Sequence, residues 1–362
     1  MCSLSEIEDN LPPDGVAMER KRRKRYTGTH PKHFEEKYKE HNIEDNPALA
    51  EKLRAKGKTP AGSHVPVMLD EVMWWLRPAK KEVVADCTLG YGGHAAEFIK
   101  RIGPKGRLIG FDVDAEQLEK TGERLARLKT PVDIHHGNFA GIAKGLQNGV
   151  EGYDIIFVDL GVSGMQIDDP ARGMSYRHDG PLDMRMDKRL KVTAAELLAK
   201  IPQEELAQKL QELADEEDNR RIAAAVVAAR DERAIERTRE LVDIILAAKG
   251  LSRERLKKDR RLGGLHPAAK TFQAIRMMVN DEPGSLAQLL RAAPWCLKAG
   301  GRIGIISFHS GEDRLVKKAF QEGERTGVYE KVGDLVTASA AEIGSNPRSS
   351  SAKFRFAVKA RQ

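Results

Sequence analysis

From about residue 64, short apolar β-branched runs alternate with amphipathic stretches. Residues 67–76, VMLDEVMWWL, set Val67, Leu69, Val72, Met73 and Leu76 apolar, which predicts an amphipathic helix. VVADCT (83–88) predicts a short buried strand, and HAAEFIKRI, after three glycines, predicts a helix. GRLIGFDVD (106–114) reads as a second strand and AEQLEKTGERLARL as a helix. VDIHHGNF (132–139) reads as a third strand ending in a loop, and YDIIFVDLGVS (153–163) as a fourth. This alternation predicts an α/β protein with a parallel, doubly wound sheet. The pattern then stops. From about 165 to 275 strand signals are few, and TAAELLAK, EELAQKLQELA and RRIAAAVVAARDE have helical composition, so this stretch reads as a helical insertion. A further helix, SLAQLLRAAPWCL, precedes renewed strand character at GRIGIISFHS (301–310) and AKFRFAVK (352–359). The predicted organisation is an N-terminal extension over 1–60, a sheet domain assembled from 61–164 and 276–362, and an inserted helical domain over 165–275.

Composition narrows the class. Hydrophobic residues make up 40% of 362, enough for a sizeable core, while 32% charged residues point to a soluble chain. No run approaches the roughly 18 apolar residues of a membrane span. The polar start MCSLSEIEDN lacks an apolar signal region. A cytoplasmic protein without a membrane partner is expected. Cys2, Cys87 and Cys296 are not at C-x-x-C spacing, and the ten histidines show no H-E-x-x-H pattern. Neither a disulfide framework nor a metal site is expected. The net charge of +7 suits an anionic partner such as nucleic acid, or simply a solvated surface. The run Arg20–Arg25 in the extension, followed by a predicted short helix from about Pro31 to His41, allows the same two readings.

The candidate chemistry gathers at strand ends. Gly90, Gly92 and Gly93 lie between a strand and a helix, where glycine lets a ligand approach the backbone and the helix start offers free N–H groups. The G-x-G-G spacing weakens the reading as a nicotinamide-dinucleotide loop and suits an adenosyl–methionine ligand, which carries no phosphate and needs backbone approach. Asp112, ending the second strand, is placed to accept from ribose hydroxyls; Asp114 is its rival, though better suited to capping the next helix. Phe139 either lies against an adenine or is an ordinary loop aromatic. Asp159 ends an apolar strand, where a carboxylate is costly to bury without a partner. His309 faces the cleft or is structural. Loop 172–187 brings Arg172, Arg177 and Arg185 together with Tyr176 and His178 among nearly balancing acids, so it either meets substrate or pairs with itself. Arg348, Lys353 and Arg355 form a second basic group, whereas Arg220 and Arg221 suit helix-surface pairs.

Eight segments, in order, resemble the RsmH (MraW) family of bacterial 16S rRNA cytosine-N4 methyltransferases. They are HVPVMLDEV, DCTLGYGGHA, GFDVD, HGNF, DLGVSGMQIDDPARGMSYRHDGPLDMRMD, HPAAKTFQAIRMMVNDE, GGRIGIISFHSGEDRLVK and NPRSSSAKFR, running from about His64 to the C-terminus. The resemblance implies a class I (Rossmann-like) methyltransferase sheet with an inserted helical domain, S-adenosyl-L-methionine as methyl donor, and a decoding-centre cytidine of 16S rRNA in the small ribosomal subunit as target. It implies cofactor contacts at Gly92, Gly93, His94, Asp112, Phe139, Asp159 and Gln166, the last invisible to a reading of the residues alone. It also favours a substrate-facing role for Arg172, Arg177, Arg185 and Arg348. The chain departs from the family pattern at Gly164 and Met165, where Ser and Pro are usual, at Gly311 in place of a common Leu, in a shorter stretch between Phe320 and Asn346, and in its basic extension.

Methyl transfer to an exocyclic amine needs alignment and an acceptor for the departing proton. Asp159 is the candidate acceptor, or serves the cofactor alone. Methylation of carbon 5 would need a cysteine nucleophile, and neither Cys87 nor Cys296 is placed for one. The alternative from another class is a non-catalytic, cofactor-binding assembly factor of the small subunit. A homodimer is left open.

Overall fold

Short, near-continuous apolar strands, flanked by amphipathic helices, form an eight-stranded sheet in the computed structural model, which describes residues 66–147, 149–258 and 265–361. The extension over 1–60, with its basic run and expected helix, lies outside the described residues. Helix α1 (Leu69–Leu76) leads into β1 (Val83–Asp86), α2 (Gly93–Ile102), β2 (Arg107–Asp112), α3 (Ala115–Leu125), β3 (Val132–His136) and β4 (Tyr153–Asp159). The short α4 (Gly164–Asp168) precedes a run of helices: α5 (Ala194–Lys200), α6 (Gln203–Ala214), α7 (Asn219–Glu232), α8 (Thr238–Ala248), α9 (Arg253–Lys258) and α10 (Ala269–Asn280). The chain returns through α11 (Glu282–Cys296), β5 (Leu297–Ser307), α12 (Ser310–Arg325), β6 (Tyr329–Val332), β7 (Val336–Thr337), α13 (Ala340–Ser345) and β8 (Lys353–Lys359).

The strand order is β3-β2-β1-β4-β5-β8-β6, with β7 also paired to β8. The first five strands are parallel, and β8 inserts antiparallel between β5 and β6. The chain winds outward from β1 to β3, then crosses back to lay β4 on the other side of β1. That reversal opens a crevice at the carboxyl ends of β1 and β4, where doubly wound sheets bind ligands. Alternation along β4 supplies both faces of the core: Ile155 and Phe157 pack with Phe98, Leu108 and Phe354 on one side, Ile156 and Val158 with Ile109, Leu289 and Phe320 on the other. Each fully buried side chain of this size contributes about 1.5–3 kcal/mol, so the strand that ends in Asp159 is anchored from both faces.

The helical segment has a hydrophobic cluster of its own, including Leu198, Leu210, Ile222, Val226, Ile245, Phe272 and Ile275 and no strand residue. The boundary expected between 275 and 276 falls inside α10, which runs unbroken to Asn280; the chain turns only at Asp281, in the left-handed region at φ 45°. The strand expected over 301–310 is also displaced. β5 starts at Leu297 and ends at Ser307, and His309 leaves the sheet to cap α12, its Nδ1 accepting from the Glu312 N–H at 3.4 Å. Among the described residues no helix is long and apolar enough to cross a membrane.

Candidate active site

β1, β2 and β4 end in Asp86, Asp112 and Asp159 on one edge of the sheet. The glycine loop wraps this edge. Gly90 N–H donates to Asp112 Oδ2 at 2.7 Å and Asp114 N–H to Oδ1 at 2.9 Å, fixing the carboxylate plane while leaving a lone pair free on each oxygen. Thr121 Oγ1 ties the loop from below by donating to Gly90 O at 2.7 Å. Gly92 immediately precedes α2 at φ 65°, and a Cβ there would come within 3.0 Å of Thr121 Cγ2, so both conformation and space call for glycine.

The acids resist ionisation. Burial pushes Asp86 up to about 7, with Asp112 adding to the rise. Burial pushes Asp159 up to about 8, reinforced by Asp86 and Glu312. Asp159 Oδ1 is buried without a hydrogen-bond partner, yet 26% of the side chain stays open. His94 lies beside it with Nδ1 3.9 Å from Asp159 Oδ2, and its Nε2, 3.0 Å from Val67 O, is assigned as the protonated nitrogen on that contact. Burial lowers this histidine to about 4, so it is a neutral imidazole that turns a lone pair toward Asp159.

A cavity of about 780 Å³ runs along the edge, walled by the sheet on one side and by Met186, Phe272 and Arg276 of the helical segment on the other. Gly92, Gly93, His94, Asp112, Phe139, Asp159 and Gln166 all line it. Asp114 does not; it caps α3 by accepting from Gln117 N–H at 3.3 Å and pairs with Arg172 at 2.7 Å. Phe139 opens a 3₁₀ turn capped by Asn138 and packs partly on the core while facing the cavity, so both sequence readings describe it. Gln166 is set by a reciprocal cap: its Oε1 accepts from Ser163 N–H at 2.9 Å, and its Nε2 donates to Asp114 at 3.0 Å.

The four arginines expected to meet substrate divide. Arg177 and Arg348 line the cavity. Arg172 and Arg185 do not. Arg172 is spent on Asp114, Glu116 and Asp169, and Arg185 on both oxygens of Asp183 and on Leu190 O. Pairing within the loop therefore accounts for Arg185, whereas Arg172 is taken by acids outside it. Lys353 and Arg355 are likewise held by Asp313. Arg348 reaches Asp168 at 3.4 Å by crossing Gly164, where a Cβ would sit 1.4 Å from its Nη1. The glycine in place of the usual serine is what gives the guanidinium that position.

Two further cavity residues escaped the sequence reading. Glu312 is buried at 4%; its Oε2 accepts from Phe308 N–H at 3.2 Å, and its Oε1 lies 2.9 Å from His309 Nε2 in a direction unsuited to a hydrogen bond. Arg276 forks onto Glu282, with Nε to Oε1 at 2.8 Å and Nη2 to Oε2 at 2.9 Å. Both stand in segments singled out above, but only the fold brings α10 and α12 to one wall.

This donor set fits S-adenosylmethionine. A doubly oriented carboxylate suits a ribose diol, and an unpartnered, reluctantly charged Asp159 suits a neighbouring cation. A family model for the MraW methylase family matches residues 61–360. The chain is 41% identical over 350 residues to "Ribosomal RNA small subunit methyltransferase H 1" of Lachnoclostridium phytofermentans, covering 94% of this chain and 93% of the relative. It is 40% identical over 353 residues to "Ribosomal RNA small subunit methyltransferase H 2" of Alkaliphilus metalliredigens, at 96% and 100% coverage. It is 42% identical over 313 residues to the corresponding protein H of Geobacter sp. strain M21, at 82% and 98%. With its glycine loop and acidic strand ends in this order, the chain belongs to the MraW methylase family of S-adenosylmethionine-dependent methyltransferases.

Proposed function

We propose that the chain methylates the N4 amine of a decoding-centre cytidine in 16S rRNA of the small ribosomal subunit, acting in the cytoplasm. The relatives are named as small-subunit rRNA methyltransferases. The observation that carries the reading is the single cavity shared by the carboxylate edge and the helical wall, with the unpartnered Asp159 Oδ1 buried beside it. Such a cavity suits a donor at the sheet and an unstacked base opposite.

The cofactor, when bound, supplies an electrophilic methyl group. Asp112 would hold the ribose hydroxyls, the glycine loop would give close backbone approach, and Phe139 and Gln166 would border the nucleoside end. Asp159 has two tasks. Beside a cation its carboxylate form is favoured, and through its open fraction that carboxylate can then accept a proton from N4 as the carbon–nitrogen bond forms. The balance would be one methyl gained by nitrogen with the donor left as a neutral thioether, and one proton passed to Asp159, which returns it to solvent through its open fraction. His94, held neutral by burial, borders that carboxyl and does not compete for the proton. The Cys87 thiol is pushed well up by burial and offers no thiolate for attack on carbon 6.

The test incubates the purified chain and labelled S-adenosylmethionine with small subunits lacking the modification. Label on cytosine N4 is the expected result. Tight cofactor binding without transfer would overturn the proposal in favour of a non-catalytic assembly factor.

A further inference from the structure

The geometry points to Arg276 as the residue that reads the target base, donating two N–H groups to the N3 and O2 acceptors of cytosine. The inference rests on the cytidine reading above and adds the source of its base specificity.

Arg276 lines the cavity from α10 with its side chain only 12% exposed. The Glu282 fork uses the Nε–Nη2 edge of the guanidinium and locks its plane. Among the described residues the adjacent Nη1–Nη2 edge has no hydrogen-bond partner, so a rigid pair of donors is left over. A planar fork of this kind matches two neighbouring acceptors on a base edge. Cytosine presents O2 and N3 side by side, with N4 next along the same edge. Gripping the first two hands N4 onward. Arg276, Glu312 and Asp159 line the same cavity, and Glu312 adds to the field at the other two. Uracil fails the same fork, since its N3 carries a hydrogen that would meet a donor. A site built to bond a group discriminates strongly against a base lacking it.

The test compares small subunits carrying cytidine or 3-deazacytidine at the target, the second lacking the N3 acceptor, with wild type and Arg276→Lys. For wild type, kcat/KM should fall about 10- to 100-fold on the analogue. Arg276→Lys should lose a similar factor on cytidine, lose little more on the analogue, and keep its affinity for S-adenosylmethionine. Normal wild-type turnover of 3-deazacytidine would overturn the proposal without needing any variant. So would an equal additional loss by Arg276→Lys on both substrates, which marks a residue that only buttresses Glu282. Failure of wild type to methylate any cytidine amine would instead bring down the functional reading on which this one stands.

Discussion

Asp159 concentrates the chemistry in one residue: Thr88 fixes its backbone, His94 lies beside one carboxyl oxygen, and the other has no hydrogen-bond partner. Asp159→Asn keeps the shape and removes the basic oxygen. At saturating cofactor, single-turnover methyl transfer should fall by about 10²–10⁴, the usual worth of a general base. Near-normal turnover would end the acceptor role. The wild-type rate should rise with pH up to a plateau as Asp159 ionises, with the limb for the free chain near 8, and the variant should lack that limb. Asp112 and Asp159 are legible in the sequence because a carboxylate at the end of an apolar strand is conspicuous. Arg276, Glu282 and Glu312 are not, since each sits among many charged helix residues and only tertiary packing selects them. Arg172 and Arg185 mislead because ion-pair partners absorb them: Arg172 is taken by Asp114 and Glu116, remote in sequence, and Arg185 by Asp183, two residues away.

Helix α10 packs in the helical cluster and leads directly into α11, and its last residue shows how an element end can govern a site. Asn280 accepts from Met186 N–H at 2.7 Å and donates to Met184 O at 2.8 Å, pinning a loop in which Met184 stands at φ 62°. Met186 and Asp187 of that loop line the cavity. Asn280→Ala strands both backbone groups, at a cost of about 1–3 kcal/mol, measurable by denaturant unfolding. It should raise KM for small subunits while leaving cofactor affinity nearly unchanged. An unchanged KM would mean the pinned loop does not meet RNA. The long, periodic elements were readable from sequence. β6, β7 and α13 were not, because β6 alternates weakly, with only Tyr329 buried, and the other two run for two and six residues. The end of β5 was overrun because Phe308 prolongs the apolar pattern past the point where His309 caps a helix.

The whole molecule stores unfavourable electrostatics where its strands end. Asp86 and Asp159 have folded values raised to about 7 and about 8 from 3.8, so they bind protons more tightly folded than unfolded. Their contribution to stability is full below the unfolded value and is lost as pH rises through the folded ones. The cofactor-free chain should therefore lose thermal stability between mildly acidic pH and about 8. The gain in Tm from excess S-adenosylmethionine should grow over the same window, as the cation offsets the emerging negative charge. Calorimetry at matched pH values checks this, and a pH-independent gain would refute it.

The helical insertion also has a consequence for synthesis on the ribosome. β4 receives β1 as a neighbour soon after emerging, but its other edge pairs Asp159 with Ile306, far downstream. Until β5 is made, a strongly apolar central strand is left with an unpaired edge, the kind of surface that recruits other chains. The intervening helices carry a local cluster of their own and, by the fast kinetics of local contacts, can fold while that edge waits. The insertion that walls the cavity in the finished enzyme thus also sets how long its nascent sheet must remain open.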